Sequence, residues 1–202
     1  MSTKDRILEA AIDLFAEKGF GEVSIREITR AVGIKESSLY NHFASKQQLL
    51  DEIFDYLKRH YDAMTIPEES VAERMAGITA EELVDLSLKS FQAYLGNPKF
   101  LKIWRILSIE RFTNARAREL FNRHFIDEPM EFQAKVFAAL MERGQMPPMD
   151  PMVLAREFFS YILFLYFRYI EADPTVDIAG NTELQRMIKE HMEFLRFAFN
   201  NR

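Results

Sequence analysis

Polar side chains that can hydrogen-bond are concentrated between residues 24 and 46 of this 202-residue chain. Hydroxyl, phenol, amide, imidazole, guanidinium and ammonium groups lie close together there, so the stretch offers many donors and several acceptors. This chemistry suits the reading of an anionic or polar surface by hydrogen bonds. The residues concerned are Ser24, Arg26, Lys35, Glu36, Ser37, Ser38, Tyr40, Asn41, His42 and Lys46.

The rest of the sequence offers little to catalysis or metal binding. Cysteine is absent, which excludes a thiol nucleophile, disulfides and Cys-ligated zinc, and the four histidines are scattered. No Gly-rich phosphate loop of the dinucleotide-binding or P-loop kind is present. His124, followed by Asp127 and Glu128, is more typical of a core or surface histidine than of a metal ligand. We therefore predict that the protein is not an enzyme and needs no metal or other cofactor.

Charge and hydropathy further limit where the protein can act. The net charge is −5, yet residues 1–49 hold seven basic and seven acidic groups, so the excess of acid lies in the remainder. The first residues lack the basic segment and apolar run of a signal peptide. The most apolar stretch, residues 158–170, is shorter than the ~18–20 residues that cross a bilayer. We expect a cytoplasmic protein without a membrane partner.

Apolar residues recur with helical spacing almost throughout, and alternating strand patterns are scarce. The pattern predicts an all-α protein of about nine helices. Pro129 lies inside one long pattern and should kink or split it. Capping residues, glycines and prolines set the expected bounds, which are 3–18, 24–32, 36–43, 45–64, 79–95, 99–111, 114–143, 151–172 and 182–199.

Residues 24–43 combine a capping box, a glycine turn and a second short helix. Ser24-Ile25-Arg26-Glu27 has the S-x-x-E form that starts a helix, Gly33 ends it, and the next helix must begin almost at once. This order predicts a helix-turn-helix, whose second helix presents short polar side chains to base edges in a DNA major groove. The apolar residues that can pack the pair together are Ile28, Val32, Ile34, Leu39 and Phe43.

The same region resembles the tetracycline-repressor (TetR) family. The run Ile7-Leu8-Glu9-Ala10-Ala11-Ile12-Asp13-Leu14-Phe15-Ala16-Glu17-Lys18-Gly19-Phe20 is similar to that family's opening helix. The family's signature is matched further, in order and spacing, by Ser24-Ile25-Arg26-Glu27-Ile28, Gly33-Ile34, Leu39-Tyr40-Asn41-His42-Phe43 and Lys46-Gln47-Gln48-Leu49-Leu50. The resemblance covers about residues 5–55. The remainder is similar in being helical and in the turn before residue 151.

The resemblance implies a DNA-binding domain over residues 1–47 and a ligand-binding and dimerisation domain over residues 48–202. It also implies roles for single residues: phosphate contacts from Ser24, Tyr40, His42 and Lys46, and base contacts from Arg26, Glu36, Ser37, Ser38 and Asn41, with Lys35 exposed beside them.

The chain departs from the family in the base-reading stretch. Lys35-Glu36-Ser37-Ser38 stands where Ser-Lys-Gly-Thr is common, so the operator sequence cannot be carried over. Two roles for Glu36 stay open. It either accepts a hydrogen bond from a cytosine amino group, or it is an acid at a helix start that favours the helix dipole and repels phosphates.

Aromatic residues are concentrated beyond residue 90, where fourteen of the 18 phenylalanines and the single tryptophan lie. Such helical bodies can line adaptable apolar cavities, although each aromatic taken alone is more typical of core packing. Together with the family resemblance, this composition predicts a pocket for a mainly apolar small molecule, oriented by His124, Tyr94 or Arg105. The expected lining is Phe91, Tyr94, Trp104, Arg105, Leu107, Phe121, His124, Phe125, Phe132 and Phe159.

The last two predicted helices indicate self-association. Residues 152–172 are apolar on nearly every side, and such a helix needs partners on two sides. The final helix carries an apolar stripe, and the family resemblance implies a dimer at the same place. We expect a homodimer whose interface is formed by Leu184, Met187, Ile188, His191, Leu195 and Ala198.

The leading interpretation is a homodimeric transcriptional regulator, expected to be a repressor, that binds a palindromic double-stranded DNA operator and is released by a small-molecule effector. A dimer places two DNA-binding domains, which we call heads, on one duplex. This doubles the number of phosphate contacts, which helps a chain whose net negative charge opposes DNA binding. The alternative is a DNA-binding or interaction protein on the same fold without an effector. Preference for one palindrome, together with a response to a ligand, distinguishes the regulator from this alternative.

Overall fold

The computed structural model describes residues 1–64, 77–79, 82, 86, 97–173, 176 and 180–200, apart from the side chains at 62–64, 196 and 198–200. Every element in these ranges is helical and none is a strand, which confirms the all-α prediction. The elements are α1 (Thr3–Lys18), α2 (Ile25–Val32), α3 (Glu36–Tyr40), α4 (Lys46–Met64), α5 (Pro98–Glu110), α6 (Ala115–Phe121), a π-helical segment (Asn122–Asp127), α7 (Glu128–Glu142), α8 (Pro151–Leu165), a second π-helical segment (Tyr166–Ile170) and α9 (Thr182–Asn200).

The chain divides into two compact units. The first joins Met1–Met64 to Pro98–Asn122, and the second joins Thr65–Asn97 to Arg123–Arg202. These units describe packing and do not test where DNA binding ends. The functional boundary between residues 47 and 48 therefore stays a prediction.

The first two helices begin and end where their sequence signals predict. Ser2 and Asp5 form a capping box at the start of α1, and Gly19 ends that helix with a φ of 83°. Gly33 ends α2 in the left-handed region, with φ 73° and ψ 38°, where a side chain would be strained. The chain can therefore turn from α2 into α3 within three residues.

Helix α3 is shorter than the sequence pattern predicts. It ends at Tyr40 rather than Phe43, because the His42 N–H bonds to the Leu39 carbonyl three residues back and the last turn tightens. Phe43 is buried in the first unit although it lies beyond the helix. Asn41 and His42 therefore lie in an exposed turn at the end of α3.

One apolar core holds the first unit together. The largest side chains that are fully buried there come from α1, α4, α5 and α6 and from the helix-turn-helix region. Because these side chains occupy its centre, the unit has a fixed scaffold for its exposed polar face. They are Ile7, Ile12, Phe15, Ile28, Leu39, Phe43, Leu49, Phe54, Trp104 and Phe121.

Pro129 splits the long predicted pattern, as expected. Proline lacks an N–H, and its ring clashes with the carbonyl four residues earlier, which is that of Phe125. The helix therefore changes to a wider π-helical turn over Asn122–Asp127. Helix α7 follows, with Pro129 in its first turn. Asn114 caps the preceding α6, since its side chain accepts from the Ala117 N–H.

In the second unit, α7 and α8 pack against each other around Phe137, Leu140 and Phe158, and α9 adds Met192 and Leu195. Asp150 caps α8 through the Met152 and Val153 amides, as its position before a proline predicts.

Two further helix starts were predicted in the second unit. The cap of α9 is Asn181 rather than the predicted Thr182, because the Asn181 side chain accepts from the Leu184 N–H. The expected helix over residues 79–95 lies largely outside the described residues. Its capping box is present, since Thr79 and Glu82 exchange backbone and side-chain hydrogen bonds. No helix of the described ranges combines the length and apolar character needed to cross a bilayer.

Candidate nucleic-acid interface

The α2–turn–α3 pair presents its polar side chains on one surface of the first unit. Ile28 and Leu39 are fully buried beneath this surface, while Tyr40 is 50% exposed despite its aromatic ring. The predicted contact residues are all exposed or half-buried. Ser24, Arg26, Lys35, Ser37, Tyr40, Asn41 and His42 are exposed, and Glu36, Ser38 and Lys46 are half-buried.

The start of α2 is fixed by hydrogen bonds that also tie it to α1. Glu27 accepts from the Ser24 N–H at 2.8 Å and forms an ion pair with Lys18 at 3.1 Å. The Ser24 backbone bond, with the Lys18 and Ser24 side-chain bonds, lowers the pKa of Glu27 to about 2. Arg6 of α1 donates to the Val32 carbonyl at the other end of α2. Both ends of α2 are therefore attached to α1.

Lys46 has a structural role that the sequence did not reveal. Its ammonium donates to the Phe20 carbonyl at 2.7 Å and to the Val23 carbonyl at 2.8 Å, and it lies 4.3 Å from the centre of the Phe20 ring. An ammonium has three donors, so only one is left for a phosphate. The phosphate contact inferred from the resemblance stays a prediction, and Lys46 first of all closes the α1–α2 loop onto α4.

Glu110, at the end of α5, holds the same loop from a distant part of the chain. Its side chain is buried and accepts from the Phe20 N–H at 3.0 Å. Arg105 of α5 donates from Nε to the Ala16 carbonyl at 2.7 Å, satisfying one of the carbonyls left open at the end of α1. Nothing in the sequence near residue 110 signals these contacts, since they span about 90 positions.

Helices α5 and α6 also make the first unit positive. The unit holds 15 basic and 13 acidic groups, a net charge of +2, although the whole chain carries −5. Ion pairs join these two helices to α1 and α4. They link Lys99 to Glu9, Lys102 to Asp13, and Arg116 to both Asp51 and Asp55.

Across the turn, Arg26 of α2 is paired with Glu36 of α3. The Arg26 Nε lies 2.9 Å from the Glu36 Oε1, and the Arg26 side chain is 82% exposed. The acid at the start of the recognition helix is therefore partly neutralised by a cation of the preceding helix.

The profile described as "Bacterial regulatory proteins, tetR family" matches residues 7–53, which span α1 to the first half of α4. The match assigns residues 7–53 to the TetR family. The protein is a DNA-binding transcriptional regulator with a helix-turn-helix, as its relatives are, and these relatives are not enzymes. This match confirms the function class predicted from residues 24–46.

Two curated relatives show how broad the similarity is. The chain is 23% identical over 177 residues to "Nucleoid occlusion factor SlmA" of Aliivibrio fischeri, covering 84% of this chain and 85% of that protein. It is 35% identical over 81 residues to "HTH-type transcriptional repressor KstR2" of Mycobacterium tuberculosis, covering 38% of this chain and 40% of that one.

Solved structures confirm the fold over nearly the full length. A putative TetR-family regulator from Mesorhizobium loti superposes with a TM-score of 0.68 at 21% identity, covering 98% of this chain and 96% of that one. A putative regulator from Saccharomonospora viridis in complex with choline gives 0.66 at 21%, covering 98% of both chains. The fatty acid degradation regulator FadR from Bacillus halodurans gives 0.60 at 16%, covering 96% and 95%.

The structure places the predicted pocket residues in both units. Trp104, Arg105, Leu107 and Phe121 belong to the first unit, where Trp104 and Leu107 are fully buried among other core residues. His124, Phe125, Phe132 and Phe159 belong to the second unit. Phe91 and Tyr94 lie outside the described residues. That these residues surround a ligand stays a prediction.

Within the second unit, His124 is buried and its Nδ1 lies 2.7 Å from Glu128 Oε2. Burial raises the pKa of Glu128, but bonds from Arg123 and His124 outweigh it, so the pKa is lowered overall. No cluster of three or more metal-ligating side chains occurs in the part of the chain that the structure describes. An open groove of about 350 Å³ lies elsewhere in this unit, beside Lys135 and Met152, and contains none of the predicted pocket residues.

The predicted interface stripe lies mostly inside the protomer. Leu184, Ile188 and Leu195 are buried within the second unit, so the expectation that they face a partner needs correction. They sit on the inner face of α9, because a helical stripe packs against the nearest apolar surface, here its own unit. Met187 and His191 are half-buried, and the Ala198 side chain lies outside the description.

Other aromatic side chains of α8, α9 and the segment between them remain exposed. Phe194 is 63% and Phe197 66% exposed, and Phe164 and Phe167 are also exposed. The His191 ring stacks on the Tyr161 ring with ring centres 4.3 Å apart, and burial lowers the pKa of His191. Phe164, Phe167, Phe194 and Phe197 are exposed aromatic side chains of the second unit, and we refer to these four residues as its aromatic face.

We predict that Lys46→Met destabilises the protein even without DNA. Two charge-assisted hydrogen bonds to carbonyls are lost, which costs about 1–3 kcal/mol. Urea unfolding measures the change, and Lys58→Met, at an exposed position of the same helix, serves as the control. A variant as stable as the wild type that only binds DNA more weakly would contradict the structural role of Lys46.

Proposed function

We propose that the protein is a homodimeric repressor that binds a palindromic operator and is released from it by a mainly apolar small molecule. The observation that carries this proposal is the exposed, donor-rich face of α2 and α3. The opposite side of the two helices is anchored in the core of the first unit by Ile28 and Leu39. The family match and the presence of a repressor among the relatives of this chain support the proposal. Such a protein acts where the DNA is, in the cytoplasm.

The proposed contacts fall into two groups. Ser24, Tyr40 and His42 bind phosphates, and Lys35 adds a cation that has no salt-bridge partner among the described residues. Base edges are contacted by Arg26 of α2, by Ser37 and Ser38 of α3, and by Asn41 in the turn after α3. Phosphate contacts set the register of the protein on the duplex, while base contacts determine the preferred sequence.

A dimer is proposed because one head alone has few phosphate contacts. Two recognition helices spaced one turn of B-DNA apart, about 34 Å, engage adjacent major grooves together. The aromatic face of α8 and α9 is the surface proposed to pair, since Phe194 and Phe197 are too exposed for a monomer's core. A twofold arrangement brings each face against its own copy.

An apolar effector is proposed for the second unit. His124 is buried there beside Phe125, whose ring centre lies 4.4 Å from that of Tyr166. Similar folds include a fatty acid degradation regulator and a regulator solved with choline, so both an acyl chain and a quaternary ammonium are reasonable probes. His124 is the polar group proposed to orient the ligand, because it belongs to the second unit, whereas Arg105 belongs to the first unit and donates to the Ala16 carbonyl.

The alternative function has one observation in its favour. A relative that matches 84% of this chain is named as a nucleoid occlusion factor, and that name indicates neither an operator-specific repressor nor an effector. On this second proposal the head binds DNA and the second unit binds a protein. The effector measurement below separates the two proposals, because only a ligand-responsive repressor loses DNA affinity when a small molecule binds.

We predict that Lys35→Ala and Asn41→Ala weaken DNA binding in different ways. Loss of a phosphate contact weakens all duplexes alike and lowers the salt slope by about one ion per subunit. Loss of a base contact changes the preference among half-sites instead. Fluorescence anisotropy at several salt concentrations measures both, with Lys58→Ala as the control. If both variants bound the selected operator like the wild type, the two ends of α3 would not contact the DNA as proposed.

We predict that the wild type is a dimer and that Phe194→Asp weakens dimerisation by about a hundredfold or more. The substitution leaves an unpaired charge in a buried interface, which costs several kcal/mol. Light scattering over a range of concentrations gives the dimerisation constant. Phe112→Asp, at a phenylalanine that is 74% exposed in the first unit, is the matched control. A monomeric wild type, or a variant that dimerises normally, would count against this interface.

We predict that an apolar small molecule stabilises the protein and lowers its DNA affinity. Binding to the native state alone raises the melting temperature by mass action, and micromolar affinity corresponds to roughly −8 kcal/mol. A thermal-shift screen with fatty acids, aromatic compounds, choline and polyanions identifies the class. Stabilisation by polyanions alone would refute the apolar class. DNA affinity that no stabilising compound changes would favour the interaction protein.

A further inference from the structure

The contact between Arg26 and Glu36 joins the two helices of the DNA-binding pair directly at its exposed face. Arg26 is the second residue of α2 and Glu36 the first of α3, so ten positions and a turn separate them in the sequence. Their 2.9 Å contact is made through Nε of the guanidinium. Among the described residues, the guanidinium has no other hydrogen-bond partner.

The geometry of a guanidinium makes the choice of Nε significant. Five N–H donors surround the planar group, and a bond at Nε leaves the parallel pair on Nη1 and Nη2 available. That pair matches the O6 and N7 acceptors of guanine in the major groove. An arginine whose Nε is bonded to a carboxylate therefore keeps its Nη1 and Nη2 donors available for guanine. The same bond restricts the orientations that the guanidinium can adopt.

The Glu36 carboxylate is directed at Arg26 rather than at its own helix. Lys35 is the N-cap of α3 and makes no side-chain capping bond, and Glu36 is the first residue of that helix. The carboxylate accepts from Arg26 through Oε1, and this contact keeps it beside the guanidinium of the preceding helix. The contact supports a third role beside the two that the sequence left open.

We propose that Glu36 is a positioning residue for base recognition: its carboxylate fixes the Arg26 guanidinium so that the Nη edge reads a guanine, while Glu36 reads no base. This inference rests on the proposed operator binding. It assigns the specificity at one base pair of each half-site to a pair of residues from two helices. The surface pair adds little to stability, since exposed ion pairs contribute little, so its effect is on specificity.

The test uses the full-length protein and a duplex library with a random central region. The wild type is expected to select a guanine at one half-site position, preferring it about tenfold to a hundredfold over other bases. Arg26→Ala should abolish that preference. Glu36→Ala should reduce it at the same position, whereas Glu36→Gln, which keeps an acceptor for Nε, should retain most of it. The double variant Arg26→Ala/Glu36→Ala should discriminate no worse than Arg26→Ala alone, because the two residues act as one unit.

A charge control separates positioning from simple repulsion. Glu17→Ala removes the same charge from an exposed site on α1 and should leave every base preference unchanged. Glu36→Ala should also raise affinity for random DNA, because it removes an acid near the phosphates. Thermal melting verifies that all variants are folded.

Three results would overturn the inference. A changed preference at a different base pair in Glu36→Ala would make Glu36 a direct reader. Tighter binding to all duplexes with every preference intact would make it only a repelling acid. A wild type that selects no sequence at all would refute the proposed operator binding and this inference with it, whereas the first two results leave operator binding standing.

Discussion

The attachment of the α1–α2 loop is the constraint on which the DNA-binding face depends. Lys46 holds the Phe20 and Val23 carbonyls from the start of α4, and buried Glu110 holds the Phe20 N–H from the end of α5. The loop leads directly into Ser24, where α2 begins, and Gly33 then sets the direction of α3. A shift of the loop would move both helices, because the ends of α2 are tied to α1 and because Ile28 of α2 and Leu39 of α3 are fully buried in the same unit.

The distribution of charge explains how an acidic protein has a head suited to DNA. Several acids of the first unit are engaged in ion pairs, among them Glu9, Asp13, Glu27 and Glu36. Helices α5 and α6 supply further cations and bring the unit to a net charge of +2. The excess of acid belongs to the second unit. At physiological salt the Debye length is about 8 Å, so acids that are distant from the duplex are largely screened.

The head and the rest of the chain differ in how strongly similarity constrains their function. The profile match covers residues 7–53, and a relative that matches 84% of the chain is only 23% identical. Similar folds are associated with fatty acid degradation in one protein and with bound choline in another. A fold of this kind fixes the arrangement of helices but not the chemistry of a pocket, because that depends on individual side chains. Similarity therefore constrains the function of the head more strongly than that of the second unit.

The sequence by itself determined the helices of the head, their caps and the exposed polar set, because these depend on contacts within about four residues. Ser24, Gly33 and Asp150 act as predicted, and Pro129 splits its helix. Only the tertiary structure decided what Lys46, Glu110 and Arg105 do, and that Leu184, Ile188 and Leu195 lie inside the protomer. A helical stripe shows that a face is buried but not against what. Likewise, the Glu110 carboxylate has its partner, the Phe20 N–H, 90 positions away, where local patterns carry no information.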